Sequence, residues 1–414
     1  MRIIHTADWH IGQMLRGYAR DHEHRAVLDE LVGIVAEREI DALIIAGDVF
    51  DSQNPSGESQ RLFYETLVKL HQARPGLRIV VTAGNHDAAG RLEAPRALLG
   101  GIGVHVVGNV RRMNGQIDIA RHVVPLPSED GEIAAHVLAV SYPTPACLPT
   151  LPRQKEEDGS SIARATQALY EDLVEAVRPT TRGLPLIATG HLHVAGGTES
   201  EGAERRILVG GQHAVAPDIF PADACYVALG HLHKPQTFKG DRVRYSGSLI
   251  PLSATEQPYR HGVTLLTLDD RGVTSIEHIA LDRPVPFLRL PEKGDIRLDE
   301  FGDHLKALDL ASDLPIDHRP FVHVRLSHEG LSSGFRAEAD RVAESFPVRV
   351  VDLKVSPRPD APIDTVASEP IVRLSERAPE DLFVTAFQRT HGGEPDTSHC
   401  DVFHRALADA NAEV

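Results

Sequence analysis

The sequence predicts an α/β fold of mixed β sheets flanked by helices, followed by a small α+β domain and a helical C-terminal tail. The first sign is a set of short apolar runs within residues 1–281, each closing on a carboxylate, amide or imidazole, with stretches of helical period between the early ones. The second is that these chemistry-bearing endings stop at about residue 282, after which strand and helix patterns alternate again. The expected domains are therefore 1–281, 282–360 and 371–414.

Taken in order, the strand 2–6 leads to Asp8 and His10. His24, Val27, Leu28, Leu31, Val32 and Val35 then fall on one helical face, so 21–38 reads as an amphipathic helix. It returns to the apolar run 42–46 and Gly47-Asp48-Val49-Phe50-Asp51. Strand, helix, strand makes a parallel crossover unit. A second helix at 59–71, ended by Pro75-Gly76, precedes the strand 78–82, which leads to Asn85 and His86. Residues 91–99 read as a third helix, and the β-like runs from 104 to 141 make the sheet mixed or place a second sheet on it. After a Pro-rich, charged loop at 143–159 comes a helix at 162–177. Strands 186–189 and 226–229 end on His191 and on His231 and His233, and 245–252 and 263–268 close the domain as strands.

Residues 282–286 read as a linker, and 287–355 as strand, helix (298–308), strand (321–326), helix (335–344), strand (348–355). A second Pro-bearing linker, 357–370, leads to two short tail helices. The first, 380–389, carries Leu382, Phe383, Ala386 and Phe387 on one stripe; the second, 401–411, carries Val402, Phe403, Ala406 and Leu407. Helices this short need a surface to pack on.

Composition excludes several classes. With 42% hydrophobic and 25% charged residues over 414 positions, the chain is ordinary globular material. Its 43 basic and 59 acidic residues give a formal charge of -16, so a phosphate polymer must be held by bound cations and local Arg clusters rather than by overall field. Arg91, Arg96, Arg111, Arg112 and Arg121 are the local candidates, with solvated surface as the plainer reading of each, and no individual phosphate contact is assigned. Cys147, Cys225 and Cys400 are isolated, which indicates neither a disulfide framework nor a zinc ribbon and fits a reducing compartment. No apolar run approaches a membrane span and no basic leader precedes the first strand, so a soluble cytoplasmic protein is expected.

The endings make a metal-ligand set. Asp8 and His10, like His231 and His233, stand at spacing two, which sends both side chains to one side of extended backbone. With 23 histidines in the chain most must be structural, and it is placement after apolar strands that singles these out. Mixed Asp, Asn and His donors suit manganese or iron better than a thiolate zinc site or an all-oxygen calcium site. Asp8, His10, Asp48, Asn85, His191, His231 and His233 are too many for one ion and enough for two, with Asp48 chosen as the bridge. Two ions about 3.5 to 4 Å apart can clamp both oxygens of an in-line phosphoryl displacement. His86 can then donate a proton to the leaving oxygen or steady the phosphate, with Asp87 behind it to orient the ring and fix its tautomer.

Asp8-x-His10, Gly47-Asp48, Gly84-Asn85-His86-Asp87, His191 and Gly230-His231-x-His233 together resemble, in order, the calcineurin-like metallophosphoesterases. Within that superfamily the segments 5–12, 46–51, 228–233 and 245–253 resemble the bacterial double-strand-break repair nucleases. The resemblance implies the calcineurin-like fold with a capping, DNA-recognising second domain. It implies one ion on Asp8, His10, Asp48 and His233, a second on Asp48, Asn85, His191 and His231, and a catalytic His86. It further implies two manganese ions per chain, with magnesium or iron as substitutes. The implied activity is cleavage of DNA, 3'-5' from double-stranded ends and internally at single strands and hairpins, in repair, recombination and replication. The implied partners are a second copy of the chain and an SMC-like ATPase that receives the tail. Asp51, where archaeal and eukaryotic relatives carry a His, and His193 receive no role. A small-substrate phosphodiesterase or phosphatase using the same metals is the alternative, and a metal-free scaffold has no use for seven donors in register.

Overall fold

The computed structural model describes residues 1–113, 116–128, 130–150, 161–181, 183–200, 214–331 and 334–356, with 399–400 and 402–403. The chain divides into two units, Met1–Ser356 and Pro357–Val414. Of the second, only the four helical residues His399, Cys400, Val402 and Phe403 are described, so the rest of the two expected tail helices lies outside the described residues.

The first unit contains the strands β1 (Arg2–Thr6), β2 (Ala42–Ala46), β3 (Arg78–Thr82), β4 (Val104–Val107), β5 (Val123–Pro127), β6 (Ile133–Leu138), β7 (Leu186–His191), β8 (Ala224–Gly230), β9 (Gln236–Phe238), β10 (Val243–Tyr245), β11 (Gly262–Asp269) and β12 (Gly272–Ala280). They form two six-stranded sheets, ordered β12-β11-β1-β2-β3-β4 and β9-β10-β8-β7-β6-β5. Each sheet is parallel at its centre and has antiparallel strands toward an edge, so both are mixed.

Alternation along each strand explains how the sheets stack. Ile3, Ile44 and Val80 face inward onto Leu126, Val137, Ile187 and Tyr226 of the second sheet. Their neighbours Ile4, Leu43, Ile45 and Val81 face outward onto the helices α1 (Asp21–Glu37) and α2 (Gly57–Ala73). The outer face of the second sheet is covered by Ser161–Thr181 through Leu169, Leu173 and Val177. Strands covered on both faces read as continuous apolar runs. The result is a helix, sheet, sheet, helix layering in which the carboxyl ends of the parallel strands share one rim.

A third sheet of β13 (Phe287–Leu290), β14 (Phe321–Leu326) and β15 (Arg349–Val355) is parallel throughout and carries the helices Phe301–Lys306 and Phe335–Ala343 on one face. It docks on the first domain through Phe287, Phe321 and Val351 against Leu15 and Tyr18.

Three expectations are corrected. The helix expected at 91–99 is two short pieces, Ala89–Glu93 and Arg96–Leu99, because Pro95 supplies no N–H and its ring crowds the preceding turn. Of the strand expected at 245–252 only Tyr245, the last residue of Val243–Tyr245, is strand; the rest is a buried loop. The helix expected at 298–308 is a 3-10 turn, Leu298–Glu300, running into Phe301–Lys306. The edge strand β12, by contrast, has no counterpart in the sequence reading. No helix among the described residues is long and apolar enough to cross a membrane.

Candidate metal centre

Five strand ends converge on the shared rim: β1 delivers Asp8 and His10, β2 Asp48, β3 Asn85 and His86, β7 His191, and β8 His231 and His233. Adjacent parallel strands lie about 4.8 Å apart, so residues just beyond them meet only if the backbone turns sharply. It does so in the left-handed region at Asp8 (φ 54°), His10 (45°), Asp48 (50°) and His231 (105°). Each such non-glycine residue costs about 1 to 2 kcal/mol, and strain of this kind gathers where a site must be held. Gly47, at φ 90°, lets the His191 ring lie against the backbone, where a Cβ would collide with it. A Cβ on Gly84 would likewise strike the Asp48 carboxylate.

Backbone hydrogen bonds fix one oxygen of each carboxylate and leave the other for the centre. Asp8 Oδ1 accepts from the His231 N–H at 2.9 Å, and Asp48 Oδ1 from the His86 N–H at 2.8 Å. Asp48 Oδ2 then faces His191 Nε2 at 3.2 Å and His10 Nε2 at 3.5 Å. The Asn85 amide oxygen lies 3.1 Å from both His191 Nε2 and His231 Nδ1. Three overlapping groups result: Asp8, His10 and His233; His10, Asp48 and His86; Asp8, Asp48 and His191. Asp8 Oδ2 and His10 Nε2 are buried with no hydrogen-bond partner. Buried polar atoms are ordinarily paired, so these orphaned donors fit metal ions, and the overlap of the groups fits a dinuclear site.

The far nitrogens of the rings are occupied in the way metal-binding histidines require. His191 Nδ1 donates to the Ala46 carbonyl at 2.9 Å, His10 Nδ1 to Asp51 Oδ1 at 3.1 Å, and His233 Nδ1 to Glu256 Oε1 at 2.8 Å. Each contact leaves Nε2 to face the centre.

The field at the site is strong. Burial alone would raise the Asp48 carboxyl, but His191, His10 and His86 outweigh it and hold it well below the usual carboxylate range. Asp8 is pushed up by burial and by Asp48. Burial would lower His191, yet Asp48 and Asp8 raise it to about 9, while burial and then the neighbouring His191 drive His231 well below its ordinary value. At neutral pH the metal-free protein therefore carries a proton on His191 that must leave before Nε2 can bind a metal. Manganese(II) titration near pH 7 should release at least one proton, seen as a calorimetric heat that differs between buffers of different ionisation enthalpy. A buffer-independent heat would contradict the charged state. The same proton stabilises the metal-free fold: this contribution is full below the unfolded value near 6.5 and is lost as pH rises through about 9.

Not every residue behaves as its motif suggests. Asp87 does not fix the His86 tautomer in the way expected: it accepts the backbone N–H groups of Gly84 (2.9 Å), Phe50 (3.0 Å) and Val49 (3.1 Å), tying two strand ends together. His86 Nδ1 meets the Asp51 carbonyl at 2.7 Å instead, because the Gly47–Asp51 turn passes directly behind it. Burial and then Asp48 raise Asp87 to about 6, which leaves it ionised at neutral pH to serve those three donors. His193 lies outside the three groups, with Nδ1 3.4 Å from Glu199 and its ring 6.4 Å from that of His231. Asp51 and Glu256, neither given a role from sequence, are the carboxylates behind His10 and His233. The basic candidates are largely engaged: Arg111 and Arg121 reach Glu93, Arg112 reaches Asp172, and Arg91 reaches Asn54.

Comparison with known proteins matches this geometry. The calcineurin-like phosphoesterase family matches residues 1–235, and the family described as type 5 capsule protein repressor C-terminal domain matches residues 283–391. The chain is 48% identical to SbcD, the D component of the nuclease SbcCD, of Rhodobacter capsulatus, over 94% of each chain. It is 36% identical to the SbcD of Bacillus subtilis (78% of this chain, 85% of the relative) and 31% identical to that of Escherichia coli K12 (92% of each). A rim of strand ends carrying paired orphaned donors and near-full-length identity to these relatives lead to one assignment: the chain belongs to the SbcD family of SbcCD nuclease subunits, within the calcineurin-like phosphoesterases.

Proposed function

We propose that the chain is a manganese-dependent DNA nuclease, the SbcD component of an SbcCD-type complex, acting 3'-5' on double-stranded ends and internally on single strands and hairpins. The observation that carries the chemistry is the buried cluster in which Asp8 Oδ2 and His10 Nε2 have no hydrogen-bond partner. Asp8, His10, Asp48 and His233 would hold one ion and Asp48, Asn85, His191 and His231 the other, with Asp48 between them. Two such ions supply charge stabilisation to an in-line displacement at phosphorus. The chain's own part is to fix the phosphate and move a proton. His86 is held by its backbone N–H on Asp48 and by Nδ1 on the Asp51 carbonyl, and its imidazole is the group that would donate a proton to the leaving oxygen.

The partners in this reading are DNA, a second copy of the chain and an SbcC-like SMC-family ATPase, in the cytoplasm at the nucleoid. Residues 282–360 act as the capping, DNA-recognising domain. The tail 371–414 binds the ATPase through its Leu382/Phe383/Phe387 and Val402/Phe403/Leu407 stripes.

A small-substrate phosphodiesterase is favoured by one observation, the engagement of Arg111, Arg112 and Arg121 with carboxylates on a chain of charge -16. Plasmid nicking and hairpin opening with and without manganese separate the readings. Metal-dependent cleavage is expected, and it should persist when 371–414 is deleted, whereas co-purification with the ATPase should be lost. Hydrolysis of small phosphodiesters without nicking would favour the second reading.

A further inference from the structure

The segment 246–256, buried to Leu252 and ending in the 3-10 turn Ala254–Glu256, touches the metal cluster through Glu256 and the small domain through Ala254. At its end Glu256 is fully buried and uses its two oxygens separately: Oε1 accepts from His233 Nδ1 at 2.8 Å and Oε2 from the Leu252 N–H at 2.7 Å. A carboxylate can serve both donors at once, and Gln cannot, because its NH₂ would face one of the two N–H groups. A buried carboxylate is costly unless its partners are fixed. Here they depend on where the loop places Leu252.

The loop is gripped from behind. Arg20 Nη1 donates to the Pro251 carbonyl at 2.5 Å, and Gln13 Nε2 to the Leu252 carbonyl at 3.0 Å. The charge of Arg20 is already matched by Glu23, whose oxygens take Nε and Nη2 at 2.8 and 2.6 Å. Its reach to Pro251 therefore serves geometry and not neutralisation. The guanidinium also lies 5.3 Å from the ring of Phe321 in the small domain, and Arg349 covers that ring at 3.7 Å.

We propose that Glu256 is a positioning residue for the His233 ion and that Arg20, seated against Phe321, holds the Pro251–Leu252 segment so that Glu256 keeps its aim. The docked small domain thereby sets the strength of one metal position and not the other. This rests on the dinuclear reading above and adds to it a dependence on residues that touch no metal.

Manganese(II) titration of the full chain, by calorimetry and by the paramagnetic signal of free ion, tests it, with thermal melting of the metal-free variants run in parallel. Wild type should take up two ions. Glu256→Gln should weaken one of them by about 10 to 100-fold, as loss of a partner behind a histidine ligand does, and leave the other unchanged. Arg20→Met, which keeps the stem and loses the donors, should weaken the same ion by roughly tenfold, and combining it with Glu256→Gln should add little. If Arg20→Met does not fold, Gln13→Ala removes the bond to the Leu252 carbonyl and the one from Arg20 Nη1 while keeping the Arg20–Glu23 pair, and should affect the same ion. Unchanged binding of both ions in Glu256→Gln, or equal weakening of both, overturns the proposal while wild-type uptake of two ions leaves the dinuclear reading standing. Uptake of fewer than two by wild type overturns both.

Discussion

Replacing His86 by Gln is expected to lower phosphodiester cleavage by about 10² to 10⁴-fold, the range of a positioned acid or base, while both ions still bind. The backbone N–H of residue 86 would still meet Asp48, and the Gln amide can still donate to the Asp51 carbonyl. What is lost is the imidazole, the proposed proton donor to the leaving oxygen. His86 also stands with His10 and Asp48 in one of the three potential ligand groups, so the variant decides between two roles. Metal content near wild type with cleavage lost places His86 on the phosphate; lost metal would make it a ligand, and retained cleavage would remove it from the reaction.

Asp48→Asn is expected to weaken uptake of both ions together, by more than about 100-fold for each, since even partners behind a ligand are worth about 10 to 100-fold. Asp48 Oδ2 lies between His10 and His191, which belong to opposite sides of the cluster. The substitution also removes the negative charge that keeps His191 protonated, so the proton released on metal binding should fall. His10→Ala is the control and should weaken chiefly the ion shared with Asp8 and His233. Equal, single-ion losses in the two variants would argue against Asp48 as the bridge.

Much of this was readable in the sequence because strand ends are punctuated. Asp48, Asn85, His191 and His231 each follow an apolar run that can only be a covered strand, and the sheet order then brings the ends together. The partners of those ligands were not readable in the same way. Asp51 lies 41 positions from His10 and Glu256 lies 23 from His233, and neither carries a local pattern that distinguishes it from a surface acid. Residues 249–252 look like strand because they are apolar, yet Pro251 cannot donate to a ladder, and the segment gives its carbonyls to Arg20 and Gln13 instead. The edge strand β12 escaped notice because most of its residues are half-buried or exposed, so no covered run marks it. Among the histidines, His24 shows how burial alone misleads: its ring lies between the Arg20 and Trp9 carbonyls, its one N–H donating to one of them, and burial lowers it to about 3.

The central claim is that one chain holds two ions bridged by Asp48. Electron paramagnetic resonance of the protein loaded with two equivalents of manganese(II) tests it most directly, because ions about 3.5 to 4 Å apart couple magnetically and isolated ions do not. Wild type should give a coupled-pair spectrum once the second equivalent is added, and Asp48→Asn should give only the hyperfine pattern of isolated or free ion. An isolated-ion spectrum from fully loaded wild type, or an unchanged coupled pair in Asp48→Asn, would contradict the account.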